Sequence, residues 1–166
     1  PFINSKYFPE IDVPIHIFSP SYGQLKAYQR EYEEFKSKNE LIKSVDELEK
    51  KVKKSAILDI GRNLGYTSIL YSRRWPKTNI YSIEPSYINQ LFLFKNTAHT
   101  EKIIVVPCAV GSGFELTSVG LDNENKDSKN TGFFTIAKKK ESLSKAFNCI
   151  IVPLKEIIDG ISKNNE

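Results

Sequence analysis

The sequence predicts an α/β domain built on a mainly parallel sheet, and three stretches carry that expectation. Ala56 to Ile60 is a short apolar run with one acid, Asp59, and it leads into a turn with glycines at 61 and 65. Asn79 to Ile83 is a second β-rich run, and it ends at Glu84. Ile103 to Val106 is a continuous β-branched run, the pattern of a strand buried on both faces. Residues 66–74 suit a helix between the first two runs, completing one β-α-β unit. A chain of 166 residues is long enough for one sizeable core.

Taken in order, residues 1–55 are expected to form an N-terminal arm and helices that pack on a core made by residues 56–166. Pro9, Pro14 and Pro20 make residues 1–23 an irregular or partly extended arm, because proline biases its predecessor away from helix. His16 lies in that arm and reads as an ordinary hydrogen-bonded or exposed histidine, or as a residue for substrate contact or proton transfer. From Gln24 to about Asn39 the spacing of Leu25, Tyr28, Tyr32 and Phe35 predicts a helix with one packing face. Ser44 or Asp46 is expected to cap a second helix running to about Lys54, with Leu48 and Val52 inward and the lysines at 50, 51, 53 and 54 in solvent.

Beyond the glycine turn, Thr67 or Ser68 is expected to cap the next helix, with Ile69 and Leu70 against the sheet. Pro85 stops the second strand. A helix from about Tyr87 to Asn96 carries Ile88, Leu91, Phe92 and Phe94, which gives it more than one apolar side. After the third strand, Gly113 to Val119, Gly132 to Ile136 and Asn148 to Leu154 are strand candidates. Leu121 to Thr131 reads as a mobile polar loop, Lys138 to Lys140 as solvent-facing, and Lys155 to Ile161 as a short helix.

Composition narrows the function classes. Hydrophobic residues make up 40% and charged residues 27%, an ordinary balance for a globular protein, and the apolar runs are too short to span a bilayer. Lys and Arg exceed Asp and Glu by 24 to 20, and three of that surplus of four lie in residues 56–111, where six basic residues face three acidic ones. That fits an anionic ligand and falls short of a nucleic-acid footprint. Cys108 and Cys149 lack metal or disulfide spacing and read as small buried residues of a reduced, cytoplasmic protein. The absence of Met points to a removed initiator or to an excerpt of a longer chain.

The turn itself has a definite chemistry. Gly61 and Gly65 permit positive φ or close backbone approach where a strand turns into a helix, and the helix then aims unpaired N–H groups at the turn. Glu84 lies near the spacing at which an acid on the second strand reaches a ribose diol. The nicotinamide fingerprint GxGxxG is absent, since Asn63 and Leu64 interrupt it, and no P-loop Gly-Lys-Ser/Thr follows.

The ordered series Asp59, Gly61, Asn63, Gly65, then Ile83-Glu84-Pro85, resembles the S-adenosylmethionine-dependent methyltransferases of the FkbM type, whose first motif reads D-[VI]-G-A-N-x-G. Asn96, Ala109-Val110-Gly111, Val152-Pro153-Leu154 and Ile157, Ile158 and Asp159 are similar to later positions of that family, so the likeness covers roughly residues 55 to 160. It implies a Rossmann-like class I methyltransferase fold with strand order 3-2-1 and a β-rich extension after strand three. The fold would be incomplete, because the family's fourth strand has no counterpart before Glu166.

The resemblance further implies that Asp59, Gly61, Asn63 and Gly65 line the methionine part of S-adenosylmethionine. Glu84 would hold the ribose, and Pro85, Ser86, Cys108 and Ala109 would flank the adenine. The expected reaction is O-methylation of a small molecule or glycan, with no nucleic-acid or membrane partner. Arg62 stands where the family has a small residue; it points outward, pairs with the cofactor carboxylate, or repels the sulfonium. No catalytic residue is identified, and His99 is the only general base to suggest. The alternatives are a non-catalytic interaction module that self-associates through its open sheet edge, and a nucleotide-dependent oxidoreductase.

Overall fold

A computed structural model of the chain describes residues 2–8, 13–19, 39–51, 55–61, 63–122, 135–136 and 143–164. The described elements are β1 (Phe2–Phe8), β2 (Val13–Ser19), α1 (Asn39–Lys51), β3 (Ser55–Ile60), α2 (Tyr66–Arg74), β4 (Thr78–Ile83) and α3 (Tyr87–Thr97). They continue with β5 (Ile103–Val106), β6 (Ala109–Gly111), β7 (Glu115–Asp122), β8 (Thr135–Ile136), β9 (Leu143–Pro153) and α4 (Leu154–Asn164). The architecture is α/β, with four helices among the described residues.

The centre is a parallel three-stranded sheet in the order β3-β4-β5. Side chains alternate along a strand, and β3 uses both faces. Ile57 packs into a cluster with Leu64, Ile69, Leu70, Trp75, Ile80 and Ile103, which also takes Ile42 and Val45 of α1. Ala56 and Leu58 face the other way, into a cluster with Tyr81, Ile83 and Cys108 and with Ile157 and Ile161 of α4. Helices therefore cover both faces, which is why these strands read as continuous apolar runs.

A second sheet, β6-β9-β7-β8, grows from the end of β5. The strand β6 runs parallel to β9, and β9 pairs antiparallel with β7. This is the β-rich extension, with β7 beginning at Glu115 and reaching through residues 121 and 122, which the sequence assigns to a loop. Only Thr135 and Ile136 of the Gly132–Ile136 candidate are described, as β8. The last strand is longer than expected, starting at Leu143, and α4 extends to Asn164.

Several expectations are corrected. The arm forms an antiparallel hairpin of β1 and β2, with His16 opposite Ser5. In a two-stranded ribbon every strand is an edge, so Pro14 near the start of β2 is tolerated. Helix α1 begins at Asn39, which puts Ser44 and Asp46 inside it and not at its cap, and Leu48 is 49% exposed. Asp46 instead accepts hydrogen bonds from Trp75 Nε1 at 2.7 Å and from Arg74 at 2.7 Å, fastening α1 to the end of α2. The Arg74 hydrogen bond is the main cause that holds its carboxyl below the ordinary value of 3.8.

Helix α2 starts at Tyr66 with Gly65 as its cap residue and no side-chain cap, so Thr67 and Ser68 lie within its first turn. The next helix is capped by Ser86, whose side chain accepts from Asn89 N. Leu93 is its fully buried residue, whereas Leu91 and Phe94 are exposed. Asn96 clamps the hairpin to the core, because it accepts from Phe18 N at 2.8 Å and donates to Phe18 O at 3.1 Å and Leu64 O at 2.9 Å. Lys95 Nζ lies 4.0 Å from the Phe18 ring centroid, a cation–π contact on the same strand. The Gln24–Asn39 helix apart from Asn39, Val52, Arg62 and Lys138 to Lys140 lie outside the described residues. Among the described residues no helix is long and apolar enough to cross a membrane.

Candidate functional site

The carboxyl ends of β3, β4 and β5 converge, which is where ligands bind open parallel sheets. Gly61 N donates to Ile83 O at 2.8 Å, and Glu84 N donates to Val106 O at 3.2 Å. Cys108 N donates to the same Val106 oxygen at 3.0 Å. These bonds draw together the segments containing Asp59, Gly61, Asn63 and Gly65, then Glu84, Pro85 and Ser86, then Cys108 and Ala109.

The turn after β3 places Gly61, Asn63 and Gly65 at φ values of 73°, 51° and 85°. Asparagine is among the few side chains that tolerate this left-handed region, which explains the residue type at 63. The two glycines serve different ends. A Cβ on Gly65 would lie 2.2 Å from Leu93 Cδ1, so that glycine lets α3 approach the turn. A Cβ on Gly61 would meet nothing within 4 Å, and Gly61 is exposed. Its N–H is committed to Ile83 O, and the space above its Cα is open to a ligand.

Folding the turn brings Asn63 N to 2.6 Å from Glu84 Oε2. The other oxygen, Oε1, accepts from Ser86 N at 2.8 Å and from Asn89 Nδ2 at 3.2 Å. Gln90 Nε2 donates to the Glu84 carbonyl at 2.7 Å, fixing the backbone as well. A carboxylate has about four lone-pair positions, so the described donors leave room for one more on Oε2. Burial is the largest influence on Glu84 and pushes its carboxyl up, against the three N–H donors that pull it down. Asn89 Oδ1, also buried, has no hydrogen-bond partner among the described residues.

Asp59 is 2% exposed, and its position in an apolar strand is explained by two serines. Ser68 Oγ donates to Asp59 Oδ2 at 2.6 Å and lies 2.8 Å from Ser82 Oγ. Since Ser68 has one hydroxyl proton, Ser82 is the donor in the second bond. The parallel register sets Asp59 opposite Ser82, and α2 delivers Ser68 from its first turn.

Cys108 and Cys149 are free and buried, and burial raises both thiols above their usual range. Cys108 belongs to the cluster under α4, whereas Ala109 packs with Val119 and Cys149. His99 is not at this site. It follows α3 and precedes β5, at the opposite end of the sheet, and so has no place as a base here.

Ser82, Asn89 and Gln90 escaped the sequence reading, and Ser68 was expected only as a helix cap. Ser82 carried a faint signal, a small polar residue two before Glu84 in an apolar strand. No family model, curated protein or solved structure matches the chain.

Proposed function

We propose that the chain carries the S-adenosylmethionine-binding half of a Rossmann-like class I methyltransferase related to the FkbM type, and that the methyl acceptor is a hydroxyl oxygen of a small molecule or glycan. The observation that carries this reading is the turn folded onto the acid of the next strand, with Asn63 N on Glu84 Oε2 at 2.6 Å. A carboxylate held this way by its own chain keeps a fixed direction, and one acceptor position remains for a ligand hydroxyl. Asn89 braces Glu84 from the following helix through Nδ2, which keeps the carboxylate aimed.

The residues present therefore fit the cofactor. Gly61 leaves open space above its Cα for the methionine part, Asp59 ties β3 to the start of α2 through Ser68, and Pro85, Ser86, Cys108 and Ala109 flank the adenine. When bound, S-adenosylmethionine supplies a methyl group activated by the sulfonium. The protein's work is alignment of the acceptor oxygen with the S–CH₃ bond, which lowers the barrier mainly by orientation. The raised Cys108 thiol stays protonated, so it is a wall and not a competing nucleophile.

A second reading draws on β3, which among the described strands pairs with β4 alone. An open apolar edge invites pairing with a second copy of the chain, as an interaction module would. Calorimetry with S-adenosylmethionine, S-adenosylhomocysteine and NAD separates these functions. Saturable binding of the first two supports the methyltransferase, NAD binding alone replaces it with a nucleotide-dependent oxidoreductase, and no binding with a concentration-dependent dimer leaves the interaction module.

A further inference from the structure

At the opposite end of the parallel sheet, the turns that lead into β4 and β5 border an open cleft of about 300 Å³ lined by Ser72, Arg73, Pro76, His99, Thr100 and Lys102. Only Pro76 among these lacks a polar side chain, and none is acidic. Arg73 and Lys102 have no ion-pair partner among the described residues. They account for two of the six basic residues in the segment 56–111, which holds most of the chain's basic surplus.

From these side chains we infer that the cleft is an anion subsite that takes a phosphoryl group, either free phosphate or the phosphate end of a small phosphorylated molecule. The site is independent of the proposed cofactor turn, since β4 separates them by roughly 20 Å at about 3.3 Å per residue.

The charge balance decides the sign of the ligand. Helices α2 and α3 both end at this cleft, and each helix C-terminus contributes about half a negative charge. Arg73 and Lys102 more than offset the two, leaving about one positive charge net before His99 is counted. Burial, and after it the charge of Arg73, lowers the His99 imidazole below its usual range. A bound anion opposes both effects and favours the imidazolium. Thr100 Oγ1 already accepts from Lys102 N at 3.2 Å, which leaves its hydroxyl proton for a ligand oxygen. The fork of Arg73 suits two phosphate oxygens at once. Glu101, in the same turn, is exposed and does not line the cleft.

The test is a titration of the full chain with inorganic phosphate and, separately, with glycerol phosphate, followed by calorimetry and by the His99 ring signals in NMR. Saturable binding that moves those signals is expected, with Arg73→Gln and Lys102→Gln each weakening it about tenfold, as for loss of one charge-assisted hydrogen bond. Tighter binding of the ester assigns the site to a phosphorylated molecule, and equal binding assigns it to free phosphate. Both variants are at exposed positions, and an unchanged circular dichroism spectrum shows that they fold. The inference is overturned if neither probe saturates by about 10 mM, weaker than a millimolar site. It is equally overturned if the double variant binds as the wild type does.

Discussion

Gly65→Ala is the sharpest test of how the turn is built. The added Cβ would stand 2.2 Å from Leu93 Cδ1 and 3.3 Å from Thr97 Cγ2, where carbon atoms ordinarily keep about 3.5–4.0 Å. Leu93 is fully buried and cannot swing into solvent, and the Thr97 hydroxyl is tied to Leu93 O at 2.8 Å. Overpacking of this kind costs about 1–3 kcal/mol. A left-handed alanine at φ 85° adds about 1–2 kcal/mol, for a total of about 2–5 kcal/mol. Gly61→Ala is the internal control, because its φ of 73° carries the same backbone cost but the space above it is open. Urea unfolding of both variants at unchanged m-value should show Gly65→Ala losing at least about 1 kcal/mol more than Gly61→Ala. Equal losses would refute the account of Gly65 as a contact between turn and α3.

Other consequences follow from the polar anchors. Asp46→Asn should destabilise the protein by about 1–3 kcal/mol at neutral pH through loss of the charged acceptor for Trp75 and Arg74. The folded-state carboxyl lies below 3.8, so its contribution is present above about pH 4 and disappears as pH falls through the folded value; the gap between wild type and variant should close on that side. A gap that persists at low pH would assign the loss to packing. Ser68→Ala removes a donor from the buried Asp59 and should cost about 1–3 kcal/mol in the same unfolding assay. Asn89→Ala should weaken S-adenosylhomocysteine binding by about 1 kcal/mol, because Glu84 loses the Nδ2 donor that fixes its carboxylate, while binding at wild-type strength would show that Asn89 does not position Glu84.

The parts of this fold legible in the sequence are those whose signal is local. Ile57, Ile80 and Ile103 stand in apolar runs, so their strands announced themselves even though Ile60 and Ile104 are exposed, and the glycines and Asn63 marked the turn through their backbone preferences. The partners of Asp59 were not legible, because Ser82 meets it only through the parallel register and Ser68 only through the start of α2. Asp46 shows the same limit from the other side. It has the residue type of a helix cap, yet Trp75, 29 residues away, uses its carboxylate. Tertiary demand overrode local preference there, as it did for Pro14 in the hairpin.

Glu84 was legible by spacing, but the three donors that hold it came from Asn63, Ser86 and Asn89 on the turn and helix around it. The site as a whole could be drawn from the sequence only as a set of strand ends. What remains open, the space above Gly61 Cα and one position on Glu84 Oε2, required the geometry.

S-adenosylmethionine is proposed to bind between this turn and Glu84. The most direct measurement is calorimetric titration of wild type and Glu84→Ala with S-adenosylhomocysteine, with unfolding curves run alongside to show that the variant is folded. The account predicts saturable binding by the wild type, weakened in the variant by about 1–3 kcal/mol as a ribose hydroxyl loses a charged acceptor. Equal affinity in the two folded proteins, or no binding by the wild type, would contradict it.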